Sequence, residues 1–368
     1  MTHINKRIPL ALALALALVA LLLTPLACSS QGSTPKTAFL LAPTTTLAIA
    51  QYPNTDIYFA TDISVATQDR VQITVSMAEK FWGVVEPLEM WVVGLSTKAA
   101  MALKEDFCQR RKETNTPSDY TCRPSTYEMS NQFWKFANNS IAISKDRHAY
   151  RETPFFSRFE HQGGYIMMGY PFGLSGKWYD AVQNDQLSIF HEYFHAVQRM
   201  YENHPQAPPD QPDKFDGPDW MKEGLAVYMS EYAVGLLRSI GALEHMRKPI
   251  YETEEEYRSY AAIDAALMAN LDDIEVLKKE HPGMSLKTSG SAWESNAPYV
   301  YGSWAAAYLS RIAGKEAFIN KYYPAIDSVG WKQAFKQAFG RSIEDFYIEF
   351  DQFISQSRHE LQTFLDGE

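Results

Sequence analysis

The run His191-Glu192-Tyr193-Phe194-His195, set in a long apolar segment free of Pro and Gly, constrains this chain more than any other feature. Leu187, Phe190, Phe194, Val197 and Tyr201 recur at helical spacing between Asp180 and Tyr201, which predicts one amphipathic helix. Residues four apart on a helix lie one above the other, so both imidazoles can converge on a single cation. On a helical wheel the two histidines fall beside the apolar stripe, as befits groups lining a cavity at the edge of a core. Glu192, between them, is close enough to handle the protons of a water on that cation. The plain alternative is a buried helix whose histidines merely bond to backbone carbonyls.

A second segment, Trp220-Met221-Lys222-Glu223-Gly224-Leu225-Ala226, weighs against that alternative. Residues 203–219 carry five prolines and read as an irregular loop. Pro218 suits the first turn of a following helix, on which Trp220, Glu223 and Val227 share a face. Glu223 offers a carboxylate as third ligand and leaves a fourth tetrahedral position open, the pattern of hydrolytic zinc. Gly224 costs helix stability, which suggests close approach of another backbone. Because Asp216, Asp219 and Glu231 lie nearby, an exposed surface carboxylate is the bland reading of Glu223. The expectation is one Zn(2+) per chain on His191, His195 and Glu223.

With these residues the chain resembles the gluzincin metallopeptidases, the clan of thermolysin and the aminopeptidase N-type enzymes. There H-E-x-x-H lies on one helix and the glutamate ligand on the next, often within W-x-x-E-G-x-A. Residues 196–222 separate the two parts here, a longer gap than in the aminopeptidase N group, and the Pro-rich loop accounts for the excess. Pro298-Tyr299-Val300-Tyr301-Gly302 is similar to the P-Y-x-x-G segment whose tyrosine supports the oxyanion in those enzymes. The resemblance therefore implies Tyr299 as a catalytic donor, with Tyr301 its nearest rival; a core tyrosine at a helix start is the alternative. Gly163–Tyr170 corresponds in position to the substrate-binding strand of that group and reads as an edge strand able to pair with an extended peptide. It lacks the acidic residue that holds a substrate's free amine, so aminopeptidase specificity is not implied.

The implied chemistry is peptide hydrolysis by a metal-activated water. Glu192 serves as base and then acid, while Tyr299, Tyr301 or His161 donates to the developing oxyanion. Two other classes use the same residues: a non-catalytic zinc-binding envelope lipoprotein that binds peptides or partners, and a hydrolase of a non-peptide amide or epoxide.

Residues 1–27 read as a signal peptide. Lys6 and Arg7 precede an apolar run of Leu-Ala repeats that ends in Leu26-Ala27-Cys28. The run is short of the ~20 residues a bilayer span needs, and no later segment could cross one. It resembles a bacterial lipoprotein signal with Cys28 as the lipidated residue; Pro25 keeps an ordinary secretory signal open. Residues 28–46, rich in Ser, Thr and Pro, suit a flexible tether. The expected location is the cell envelope, lipid-anchored at the outer membrane or cell surface, or else secreted. In such a compartment Cys108 and Cys122 favour a disulfide over a metal site, two separate thiols being the alternative.

The formal charge is −10, and losing Lys6 and Arg7 with the leader takes it to −10 − 2 = −12. An acidic chain without a basic stretch is a poor nucleic-acid binder, so the expected partners are a peptide or protein substrate and, through the Cys28 lipid, a membrane. Glu252–Glu256 reads as a solvated helix start or, alternatively, a calcium site.

The expected fold is α+β, a zincin-like catalytic domain with a small mixed lobe over 47–180 and a mainly helical lobe over 181–368 that carries the zinc site. Helices are anticipated around 61–83 and from Lys98 into Arg110, with a strand at Leu88–Leu95. Short strands are anticipated over 136–175. From 180 onward helices dominate, apart from the 203–218 loop and a polar stretch at 285–297; the last of these runs through Phe353, with Ser342 and Asp345 at its start.

Overall fold

The computed structural model describes residues 53–85, 87–114, 120–122, 131–146, 157–160, 164–175, 185–202, 217–243, 263–290 and 296–366. The leader, Cys28, the tether, His161, Asp216 and Glu252–Glu256 lie outside these residues, as does the lobe boundary expected near 180. The architecture is α+β, mainly helical with one four-stranded mixed sheet.

In chain order the first elements are β1 (Asp56–Phe59), α1 (Val65–Trp82), β2 (Glu89–Val92) and α2 (Thr97–Glu113). Ser64 caps α1 by accepting from Thr67 N–H, and Gly83 ends it at φ 91, a conformation that costs glycine little. Ser96 caps α2 in the same way, and Arg110, Arg111 and Lys112 crowd its last turn, where the helix dipole favours cations. A disulfide joins Cys108 on α2 to Cys122, with Cα atoms 5.5 Å apart, the pairing anticipated from the sequence.

Residues 136–145 correct the expectation of short strands over 136–175. They belong to a helix, α3 (Gln132–Lys145). Phe133, Phe136, Ala137, Ser140 and Ile143 are buried at helical spacing, and Asn131 caps the start through Phe133 N–H. The 3.6-residue period of these buried side chains is that of a helix packed on one face.

The remaining strands are β3 (Ser157–Glu160) and β4 (Tyr165–Met168). The sheet order is β1-β2-β4-β3; β2 is parallel to β1 and β4, whereas β3 runs antiparallel to β4. This corrects the edge-strand reading of Gly163–Tyr170: β4 is interior, and the edges are β1 and β3. All four β4 residues are buried, as a strand covered on both faces and paired on both sides requires.

The histidine helix, α4 (Asp185–Glu202), packs on α1 through aromatic side chains. The Trp82 ring meets Phe190 and Phe194 edge-on, each at 5.2 Å between centroids. Tyr193 Oη donates to the Gly83 carbonyl (2.7 Å) and accepts from Val85 N–H (3.2 Å), which ties α4 to the end of α1. A π-helical turn (Trp220–Gly224) then leads into α5 (Leu225–Ser239). Helices α6 (Ile263–Glu280), α7 (Leu286–Ser289) and α8 (Ala297–Ala313) follow. The described residues end with a second π-helical turn (Phe318–Tyr322), α9 (Tyr323–Val329), α10 (Trp331–Phe339), α11 (Ile343–Phe353) and α12 (Arg358–Asp366). Ser342 caps α11 by accepting from Asp345 N–H, as anticipated.

Candidate metal centre

Two elements bring the site together. Phe190, Phe194 and Val197 on the apolar face of α4 are buried, and that fixes its rotation: His191 and His195 emerge on the flank, mostly but not wholly covered. Trp220 anchors the second element. Its ring is 1% exposed, packs on Phe346 and donates Nε1–H to Tyr347 Oη. The π-helical widening of this turn carries Glu223 into the space beside the two imidazoles.

Backbone contact sets how near this turn can come. Gly224 faces Gly302 of α8: a methyl group on Gly224 would lie 2.2 Å from Gly302 Cα, and one on Gly302 would lie 2.4 Å from the Trp220 carbonyl oxygen. The close approach anticipated at Gly224 is therefore present, with Gly302 as its partner.

His195 Nε2 lies 3.1 Å from His191 Nε2 and 3.1 Å from Glu223 Oε2, and His191 Nε2 lies 3.4 Å from the same oxygen. Three ligand atoms at about 2.0–2.1 Å from a tetrahedral ion stand about 3.3 Å apart, so these spacings fit such a site without rearrangement. His191, His195 and Glu223 together could hold a metal ion. Without one, the carboxylate and imidazoles perturb each other. Burial lowers His195, but the charge of Glu223 and its hydrogen bond outweigh this and raise it to about 9. Burial pushes the Glu223 carboxyl up, yet His195 and His191 hold it well below the usual carboxylate range.

Glu192 points to β3. Its Oε2 accepts from Phe159 N–H at 2.6 Å, and its Oε1 from Ser157 Oγ–H at 2.9 Å. Its charge reaches both His195 and Tyr299. Tyr299 is 39% exposed, its ring stacked 6.1 Å from that of His191. Burial raises its hydroxyl, and the Glu223 and Glu192 charges raise it further, as does its hydrogen bond to Glu223. Tyr301, two residues on, is fully buried on the opposite side of α8; its hydroxyl has no hydrogen-bond partner among the described residues. The geometry thus brings Tyr299, and not Tyr301, to the cluster.

Three contributors were not named from the sequence. Gln198, 1% exposed, binds His195 Nδ1 through Oε1 at 2.6 Å. It lies one turn beyond His195 on the same face, so H-E-x-x-H-x-x-Q carried the signal. Ser157 and Phe159 N–H left no local signal, because the pairing of β3 with α4 spans more than thirty residues. No protein-family model, curated protein or solved structure matches the chain. Among the described residues, no helix is long and apolar enough to cross a membrane.

Proposed function

We propose that this chain is a zinc metallopeptidase of gluzincin type with a zincin-like domain, exported and held at the cell envelope by a lipid on Cys28. The observation that carries the reading is the convergence of His191, His195 and Glu223 at tetrahedral spacing, flanked by Glu192 and Tyr299. Two imidazoles and one carboxylate form a donor set suited to zinc. Bound there, zinc would supply Lewis acidity and lower the pKa of a water to about 7.

The protein's own groups divide the remaining work. The two donors from β3 orient the Glu192 carboxylate and leave each oxygen a further lone pair, so Glu192 can take a proton from the attacking water. The same carboxyl then passes that proton to the leaving nitrogen. Tyr299 Oη donates to the carbonyl oxygen as negative charge develops on it.

The test is metal analysis together with a peptide-library digest of native protein and Glu192→Gln. One zinc in both, with cleavage by the native protein alone, is expected. One zinc in both with no cleavage by either would favour a peptide-binding lipoprotein, and cleavage by a zinc-loaded Glu192→Gln would overturn the role of Glu192.

A further inference from the structure

Gln198 joins the two halves of the metal centre through one buried amide. Its Oε1 meets His195 Nδ1 at 2.6 Å, and its Nε2 donates to the Lys222 carbonyl at 3.1 Å and to Tyr323 Oη at 2.7 Å. Lys222 directly precedes Glu223, so a single side chain on α4 touches both a histidine ligand and the backbone beside the carboxylate ligand. It is 1% exposed, and water does not compete for these bonds.

The donor pattern has one solution. A backbone carbonyl only accepts, so the group facing Lys222 must be the NH2 of the amide, and the group facing His195 is then its oxygen. That oxygen requires a proton on Nδ1, which leaves the Nε2 lone pair directed at Glu223 and His191 for a cation. A side chain of this length with one acceptor and two donors matches Nδ1–H, the Lys222 oxygen and the Tyr323 oxygen together. Glutamate would lose both donors, and leucine or methionine all three bonds.

We propose that Gln198 is a positioning residue for zinc. It holds His195 in the tautomer that offers Nε2, and it ties the Glu223 turn to α4 at ligand distance. The inference rests on the metal site of the preceding section. Partners of this kind around a zinc histidine change metal affinity by about 10–100-fold.

The experiment measures zinc affinity, by competition with a chelator of known strength, for native protein, Gln198→Met, Gln198→Leu and Tyr323→Phe. Methionine has the same length and no branch, and leucine guards against a misfolding methionine variant; the thermal midpoint of each metal-free variant reports folding. Both Gln198 variants are expected to bind zinc about 10–100-fold more weakly while folding without metal. Tyr323→Phe, which spares the His195 and Lys222 bonds, is expected to stay within about twofold. Proton NMR of the zinc-loaded native protein should show a downfield His195 Nδ1–H protected from exchange, and that protection should vanish in Gln198→Met. A folded Gln198 variant that binds zinc as tightly as native overturns the inference and leaves the metallopeptidase reading intact. Failure of the native protein to bind zinc overturns that reading instead.

Discussion

Gly224 and Gly302 cross with no room for a side chain on either. A methyl group on Gly302 would stand 2.8 Å from Gly224 Cα as well as 2.4 Å from the Trp220 oxygen, and all of these neighbours are backbone. Two consequences share this contact: Glu223, next to Gly224, is set against the histidines, and Tyr299, one turn before Gly302, is set over His191. Gly302→Ala is therefore expected to destabilise the fold by about 1–3 kcal/mol, since rigid backbone must move. It is also expected to weaken metal uptake, because Glu223 moves with that backbone. Urea unfolding and zinc titration of the variant read the two effects separately; an unchanged urea midpoint would refute the crossing.

The Glu192 carboxylate should separate binding from turnover. Glu192→Gln is expected to keep one zinc per chain and lose about 10²–10⁴-fold in kcat. Ser157→Ala removes only the Oε1 donor and keeps Phe159 N–H, so a loss nearer tenfold is expected, comparable to one hydrogen bond to a charged group. Peptide hydrolysis at saturating substrate with matched zinc content checks both. Equal losses in the two variants would mean that Glu192 acts only through its place in the structure.

How much of this was written locally in the chain differs from residue to residue. The α4 helix was legible because its apolar stripe fixes which flank holds the histidines, and Gly224 was legible because a glycine in a helix has a cost that something must explain. The strand order was not. Gly163–Tyr170 alternates and is bounded by glycines, features that edge and interior strands share, and only pairing with β2 and β3 distinguishes them. Helix α3 was hidden for a related reason: Phe136, Ile141 and Ile143 are residue types that strands also favour, and the burial of Phe136 and Ile143 on one face decides the outcome. The donors to Glu192 depend on the register of β3 against a helix far along the chain, which no local pattern encodes.

The two tyrosines of the 299–301 segment should part company under mutation. Tyr299→Phe takes away the hydroxyl that approaches the cluster, and a loss in kcat of about 10²–10³ is expected with little change in thermal midpoint. Tyr301→Phe removes a buried hydroxyl that has no hydrogen-bond partner among the described residues. Its kcat should hold, and its stability should stay level or rise, because an unsatisfied polar group is lost. Steady-state kinetics and thermal melts on the pair check this; loss of turnover in Tyr301→Phe with retention in Tyr299→Phe would reverse the assignment.

The Cys108–Cys122 bridge closes a short loop over a sequence separation of 14. Cross-linking a loop of that size restricts the unfolded chain by about 3 kcal/mol. Replacing both cysteines with serine is expected to lower unfolding free energy by roughly that amount and to leave zinc affinity unchanged, since the bridge ties α2 and touches no ligand. Denaturant titration under oxidising and reducing conditions reads the difference.

Zinc and protons compete for His195. In the metal-free fold His195 is raised from 6.5 to about 9, so its protonation stabilises the fold fully below pH 6.5 and that contribution is lost as pH rises through 9. Glu223 is depressed, so its contribution is present above its ordinary 4.5 and lost as pH falls below that. The pair therefore supports the metal-free protein best between pH 4.5 and 6.5 and progressively less toward pH 9. Zinc needs the neutral imidazole and must displace that proton, so its apparent affinity should fall about tenfold for each pH unit below 9. The increase in thermal midpoint on adding zinc should accordingly be small at pH 6 and large at pH 9, opposite to the trend of the metal-free protein. Calorimetry at pH 7 in buffers of different ionisation enthalpy should show close to one proton released per zinc bound at this site. A zinc-induced stabilisation that is the same at both pH values would mean that His195 is not a ligand.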